Sequence, residues 1–351
     1  MPASWTFAVA REDLGRTTLI DSPPPAPADG EVLLRVDRVG ITANNVTYAV
    51  LGESMRYWQF FPTGDPEWGI PPLWGFAEVV ASAVAGVTEG ERIYGYLPSA
   101  SHLVVRPERV DASGFRDASA HRAELPSPYQ AYRATKNDPA YRADQEDLLI
   151  LFRPLFFTSY MLADQVLDED FYGASTLVLS SASSKTAYAA AFELHGRGAR
   201  VVGLTSPGNV EFTRSLGCYD DVLPYGEIGS LKQEPTAYLD LSGAAAARAA
   251  LRQQLGDQLV RDIAVGLTHQ VPNSDAAGEV FFAPTRMRKR GQDWGREELD
   301  RRFAEAWQRF TAVATAWLDV QVGTGPEGLR SAWLEVLEGR TPPRVGRVVQ
   351  L

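Results

Sequence analysis

Residues Thr176 to Ser206 read TLVLSSASSKTAYAAAFELHGRGARVVGLTS, and this stretch decides the fold. Thr176 to Leu179 form a short apolar run suited to a buried strand. Ser180 to Ser184 make a turn of small residues, and an Ala-rich helix is predicted from about Lys185 to His195. Gly196 and Gly198 stop that helix, and Arg200 to Leu204 supply a second strand. Strand, tight turn, helix and strand within about thirty residues make the βαβ unit of a dinucleotide-binding fold.

The turn departs from the usual G-x-G-x-x-G. Ser181, Ala182, Ser183, Ser184, Lys185, Thr186 and Ala187 include no glycine. A Cβ at every position disfavours φ > 0 and holds the backbone away from a ligand. In compensation, Ser181, Ser183, Ser184 and Thr186 bring hydroxyls to a helix start, where the free N–H groups and the dipole favour an anion. Lys185 adds a positive charge there, and it is one of only four lysines among 34 Lys and Arg residues. This is read as a phosphate site, the other reading being a Ser-rich N-cap on an ordinary helix.

After the second strand come Thr205, Ser206, Pro207, Gly208 and Asn209. A site for NAD usually has an acid here to accept from the ribose 2′-OH. Its absence leaves room for a 2′-phosphate, so NADP (NADPH) is the expected cofactor, with Arg214 and Tyr225 as further contacts. Additional strands are predicted at 221–223, 237–240, 263–265 and 280–282, giving a six-stranded, doubly wound parallel sheet. Its ligand crevice would lie at the strand carboxyl ends. Thr268, His269 and Phe282 fall at such ends, and His269 is a candidate proton donor.

At 351 residues the chain exceeds the usual span of one hydrophobic core, so two domains are expected. A net charge of −10 and a pI near 5.1 argue against nucleic acid and anionic membranes as partners. One cysteine excludes an intrachain disulfide and any multi-cysteine zinc site. No signal peptide or bilayer-spanning stretch is visible, so a cytoplasmic protein is expected.

The first 150 residues read as short strands broken by Gly and Pro, at 31–39, 76–84 and 102–105, a β-rich pattern suited to a small barrel. Two clusters stand out here. One is the polar run Thr42 to Tyr48, with Asn45; the other is Tyr57, Trp58, Gln59, Phe60 and Phe61, followed by Trp68 and Trp74. The aromatic residues read either as core or as a pocket in which Asn45, Tyr48 and Gln59 orient an aromatic or apolar small-molecule substrate. Gly114 to Tyr141 reads as a polar surface excursion. Arg286, Arg288, Lys289 and Arg290 form a basic knot, either a site for an acidic group or a solvated loop. Residues 296–318 read as a long amphipathic helix, which with the exposed sheet edges is compatible with a homodimer.

A resemblance gathers these readings. GEVLLRVDRVGITANNVTY (30–48), AEVVAS (77–82), GVTEGERIYG (86–95) and HLVV (102–105) resemble the GroES-like catalytic domain of the medium-chain dehydrogenase/reductase superfamily. FFTSYMLAD (156–164), VVGLTS (201–206) and PPRVGRVVQL (342–351) continue the similarity. TANNVTYAV, YWQFFP, DASAHR and FFAPT are similar to one branch of it, the DUF2855 proteins. The resemblance implies a GroES-like domain at 1–150 and 318–351 and a Rossmann domain at 151–317. It also implies Thr158 near the nicotinamide. The residue after Gly40-Ile41 is Thr42, not the cysteine that would hold catalytic zinc, so the similarity points to the zinc-free quinone and enoyl reductases. The expected activity is NADP-dependent hydride transfer to an activated carbonyl, enone or quinone, with Tyr48, Tyr57 or His269 donating a proton or hydrogen bond. The alternative is a non-catalytic member that binds a ligand or acts in assembly.

Overall fold

The computed structural model describes residues 4–265 and 279–351. The chain divides into two compact units, Met1–Leu151 with Leu318–Leu351, and Phe152–Trp317.

The first unit is β-rich. Its elements are β1 (Ser4–Ala10), β2 (Thr17–Ser22), β3 (Val32–Ile41), α1 (Ala43–Val50), β4 (Trp68–Gly69), β5 (Pro72–Ser82) and β6 (Arg92–Pro98). β7 (His102–Val105), β8 (Pro107–Asp111), β9 (Gly114–Asp117) and β10 (Ala131–Ala134) follow. β2, β1 and β4 form a small antiparallel sheet. β3 is the spine of the larger one, paired antiparallel with both β5 and β7. Alternation along β3 places Val32, Leu34 and Val36 in one buried cluster with Leu73, Val79 and Ile93, and an irregularity in the pairing after Val36 brings Val39 into it. β5 begins four residues earlier than the expected strand, because Pro72 to Gly75 pair with β6.

The segment 114–141 is not a solvated excursion. β9 and β10 pair with each other, and β10 also pairs with β6. Between them the Arg122 guanidinium meets the Asp117 carboxylate at 2.8 Å, with both side chains buried. Arg122 also donates to the Phe60 carbonyl and the Tyr132 hydroxyl. A buried charge persists only when paired and hydrogen-bonded, which is why the Asp117 and Arg122 side chains can lie inside while the turn at 126–128 stays exposed.

α2 (Glu146–Asp168) continues through Pro154, whose missing N–H removes one rung of the ladder. The second unit then runs β11 (Thr176–Leu179), α3 (Lys185–Leu194), β12 (Arg200–Thr205), α4 (Val210–Ser215), β13 (Asp221–Pro224) and β14 (Thr236–Asp240). α5 (Ala245–Leu255), β15 (Leu259–Val265), β16 (Glu279–Phe281), α6 (Ala283–Trp294) and α7 (Arg296–Ala314) complete it. All its strands are parallel, in the order β13-β12-β11-β14-β15-β16. In order of occurrence this is 3-2-1-4-5-6, so the winding reverses between β11 and β14. α7 stops four residues short of the expected end. Its Phe303, Trp307 and Phe310 pack with Phe156 of α2, at ring separations of 5.7, 5.4 and 4.7 Å.

The basic knot belongs to α6 and is neither a loop nor a free anion site. Arg286 and Arg290 are buried and pair with Asp164 and Asp168 of α2. Arg286 and Asp164, 122 residues apart, supply the two signs of charge, and burial requires both.

The chain then returns to the first unit through β17 (Asp319–Thr324), α8 (Gly325–Leu337) and β18 (Val345–Gln350). β18 pairs with β3, which closes the larger sheet at β17-β18-β3. Among the described residues no helix is long and apolar enough to cross a membrane.

Candidate functional site

The carboxyl ends of β11, β12 and β14 lie together at the point where the strand order reverses. Ser180, directly after β11, is fully buried, and its hydroxyl donates to Asp240 at the end of β14 (2.8 Å). The same oxygen accepts from the N–H groups of Leu241 and Ser242. Asp240 also accepts from the backbone of Ser242 and Gly243 and faces Arg248 at 3.1 Å. Burial alone would disfavour the Asp240 carboxylate, but these hydrogen bonds hold its pKa below the usual carboxylate range. Sequence reasoning missed Ser180 and Asp240; the visible signal was an acid closing the apolar run Ala237 to Leu239.

The turn after β11 is held largely by its own neighbours. Ser181 adopts φ +52°, so a left-handed turn forms without glycine at a cost of about 1 kcal/mol. Its N–H donates to the Tyr225 hydroxyl at 2.8 Å. The Ala182 N–H donates to the Leu204 carbonyl, and the Ala182 carbonyl accepts from the Tyr219 hydroxyl. The Ser184 N–H turns back to the Ser181 carbonyl. Ser184 is the N-cap of α3, its hydroxyl accepting from the Ala187 N–H at 3.3 Å.

Beside this turn, side-chain polar groups of two loops gather. The Ser183 hydroxyl lies 3.2 Å from both the Thr205 hydroxyl and the Asn209 amide nitrogen. This trio joins the loops after β11 and β12, and Ser206 sits exposed beside it. Lys185 and Thr186 open α3, where first-turn N–H groups have no partner within the helix. Burial pushes the Lys185 pKa down to about 8.

Ser181 and Tyr225 thus come together, as do Ser183, Thr205 and Asn209. Thr158 lies on α2 with its hydroxyl directed to the Pro154 carbonyl of its own helix (3.4 Å). Its neighbour Ser159 is fully buried, and its hydroxyl donates to the Thr186 carbonyl at 2.7 Å. Phe282 is exposed at the N-cap of α6. Thr268 and His269 lie outside the described residues.

In the first unit, Tyr48, Tyr57, Phe60, Phe61 and Tyr96 form one buried aromatic cluster, with Trp74 and Tyr129 packed against it. The Tyr48 and Tyr57 rings are 4.7 Å apart. The Tyr48 hydroxyl accepts from Asn44 at 2.6 Å and from the Trp74 indole at 3.2 Å. Burial pushes the Tyr48 pKa far up, and raises that of Tyr57, so both stay protonated. Asn45 is buried on α1, three residues before Tyr48. It is the N3 residue of a capping box with Thr42, and its amide nitrogen donates to the Pro72 carbonyl at 3.0 Å. Gln59 is exposed and accepts from Arg56. No group of three or more potential metal ligands occurs among the described residues.

The parallel sheet in this order and the β-rich unit together define the medium-chain dehydrogenase/reductase fold, a GroES-like domain with a Rossmann domain. Among solved structures, CurA from Vibrio vulnificus in complex with NADPH matches at a TM-score of 0.64 and 16% identity, covering 99% of this chain and 98% of that one. The quinone oxidoreductase from Coxiella burnetii matches at 0.54 and 12%, covering 99% of each. A thermostable alcohol dehydrogenase from Pyrobaculum aerophilum matches at 0.57 and 16%, covering 99% and 100%. At these identities the likeness is one of fold. No curated protein matches the chain. Residues 39–342 match the model of DUF2855, a family described as proteins of unknown function, and the chain belongs to that family.

Proposed function

We propose that this protein is a zinc-independent, NADP-dependent reductase that transfers hydride to an activated carbonyl, enone or quinone. The observation that carries the reading is the Ser183, Thr205 and Asn209 trio at the β11 and β12 carboxyl ends, with no acid at the β12 end. Neutral donors there suit a 2′-phosphate, whereas an Asp or Glu would select an unmodified ribose. Lys185 and the first turn of α3 would face the pyrophosphate. CurA in complex with NADPH has the same fold, which supports the cofactor assignment.

The nicotinamide would supply the hydride. This chain's own residues would hold the acceptor and supply the proton. The Tyr48 hydroxyl has both acceptor directions filled by Asn44 and Trp74, which leaves its proton to donate. A phenol kept neutral by burial can donate to a carbonyl oxygen as negative charge develops on it. The single cysteine motivates the zinc-independent assignment.

A second reading, a ligand-binding member without catalysis, is favoured by one observation. The N–H groups of Ser181, Ala182 and Ser184 are already spent within the protein and do not await a phosphate. Side-by-side titrations with NADPH and NADH, followed by nicotinamide fluorescence, separate these readings. Tighter NADPH binding is expected; equal or reversed affinities remove the NADP assignment, and no binding by either leaves the second reading.

A further inference from the structure

We propose that Tyr129 is a resident occupant of an aromatic box in the first unit, one that a planar, oxygen-bearing ring displaces when it binds. The inference rests on the reductase reading above and names the substrate class of its aromatic cluster.

The geometry is that of a ligand held in a site. The Tyr129 ring lies 4.7 Å from Tyr96, 5.4 Å from Phe60, 5.9 Å from Tyr57, and 6.1 Å from both Tyr48 and Trp74. The contacts with Phe60, Tyr57 and Tyr48 are edge-to-face, and those with Tyr96 and Trp74 are tilted, as aromatic packing prefers. Its hydroxyl is 3.3 Å from that of Tyr57 and also bonds Tyr48. Asn44 and Trp74 both donate to the Tyr48 hydroxyl, which leaves its proton for an oxygen on the Tyr129 side. A carbonyl oxygen placed there would accept from Tyr48 and Tyr57 alike. The hydroxyl of Tyr96, fully buried in the same box, has no partner among the described residues. An unsatisfied buried hydroxyl is costly, and a second oxygen on the incoming ring would meet it.

Tyr129 differs from the rings around it in how it is held. Tyr48, Tyr57, Phe60 and Tyr96 are buried, on α1, on β6 or in the turn at 57–60. Tyr129 is partly exposed on the short turn Ser127–Gln130, after the exposed residues Pro126, Ser127 and Pro128. The next residue, Gln130, is a fixed anchor: its amide donates to the Arg122 and Leu125 carbonyls and accepts from Arg116. An exposed turn between fixed points can swing one side chain outward while the barrel stays closed.

The test is equilibrium dialysis of 1,4-naphthoquinone without nucleotide, against wild type, Tyr129→Ala and Tyr129→Phe, with naphthalene as the oxygen-free control. Displacing a resident ring lowers apparent affinity by the fraction of open protein, so Tyr129→Ala should bind the quinone on the order of tenfold more tightly. Tyr129→Phe, which frees the Tyr48 and Tyr57 hydroxyls while keeping the ring, should tighten it by a smaller factor. Naphthalene should gain less than the quinone in both. A folded Tyr129→Ala protein with unchanged quinone affinity overturns the proposal, as does an equal gain for naphthalene. Should Tyr129→Ala fail to fold, wild-type affinity in Tyr129→Phe overturns it. NADPH titration of the same proteins keeps the questions apart: normal NADPH binding with no quinone effect defeats only this inference, and absent NADPH binding defeats only the reductase reading.

Discussion

Gly203 lies directly against Ala182, so close that a Cβ on Gly203 would come within 2.8 Å of the Ala182 Cβ. The turn after β11 has no glycine, yet the close approach of turn to sheet is kept by a glycine on the neighbouring strand β12. Tyr219 flanks the same spot at 3.0 Å. Gly203→Ala should therefore push Ala182 outward and lower stability by about 1–3 kcal/mol, as overpacking does. Moving that turn should also displace Ser183 from Thr205 and Asn209. Urea unfolding and NADPH titration of this variant should both register losses; a variant of wild-type stability would mean that the turn yields freely.

Asp117 and Arg122 tie the segment between β9 and β10 to the barrel interior. Removing one partner leaves a buried charge, and Asp117→Ala should cost about 3–5 kcal/mol. Nucleotide binding belongs to the other unit in the proposed function, so NADPH affinity of the folded fraction should not change. A denaturation midpoint near that of wild type would show that water reaches Arg122.

How much of this was legible in the sequence depends on how local the determining interactions are. The βαβ unit could be read because an apolar strand, a small-residue turn and an Ala-rich helix are set by neighbours within about thirty residues. Asn45, read as a group that orients a substrate, also closes a capping box with Thr42, a three-residue spacing that the sequence displays. The basic knot could not be read, because its partners Asp164 and Asp168 lie on another helix over 110 residues away. Likewise the polarity of residues 114–141 suggested solvent, while the bond that ties buried Arg122 to the Phe60 carbonyl reaches 62 residues back along the chain. Ser180 and Asp240 meet only because parallel strands bring together residues sixty positions apart.

Glu193 is a buried carboxyl on α3 with one oxygen 3.3 Å from Arg309 and the other without a partner among the described residues. Burial raises its pKa, with Arg309 and Arg197 opposing. The folded protein therefore holds this proton more tightly than the unfolded chain. Stability from this group is full at acid pH and is lost as pH rises from the unfolded carboxyl range through the folded value. Glu193→Gln should accordingly raise the melting temperature at pH 7, and its advantage should shrink toward pH 4. Thermal melts across that range check the sign; a less stable variant at pH 7 would show that the Arg309 attraction outweighs the cost of burial.

Lys185 opens α3 with its pKa pushed down to about 8 by burial. Two pH dependences follow, of opposite direction. Between about pH 8 and the unfolded lysine value near 10.4, the unfolded chain holds the extra proton, so stability should rise with pH over that window. A phosphate at the helix start favours the charged amine, so nucleotide affinity should instead fall as pH rises through about 8. A charge-assisted bond to phosphate contributes on the order of 1.5–3 kcal/mol, so Lys185→Ala should weaken NADPH binding roughly ten- to a hundredfold at pH 7. The same substitution should flatten both pH profiles and leave stability at pH 7 unchanged or improved, since it removes a cation from the positive end of a helix. Dissociation constants and unfolding free energies of wild type and variant from pH 6.5 to 9.5 check all of this. A pH-independent affinity in the wild type, matched by the variant, would place the Lys185 amine away from the phosphate and leave the seryl hydroxyls and the first turn of α3 to bind it.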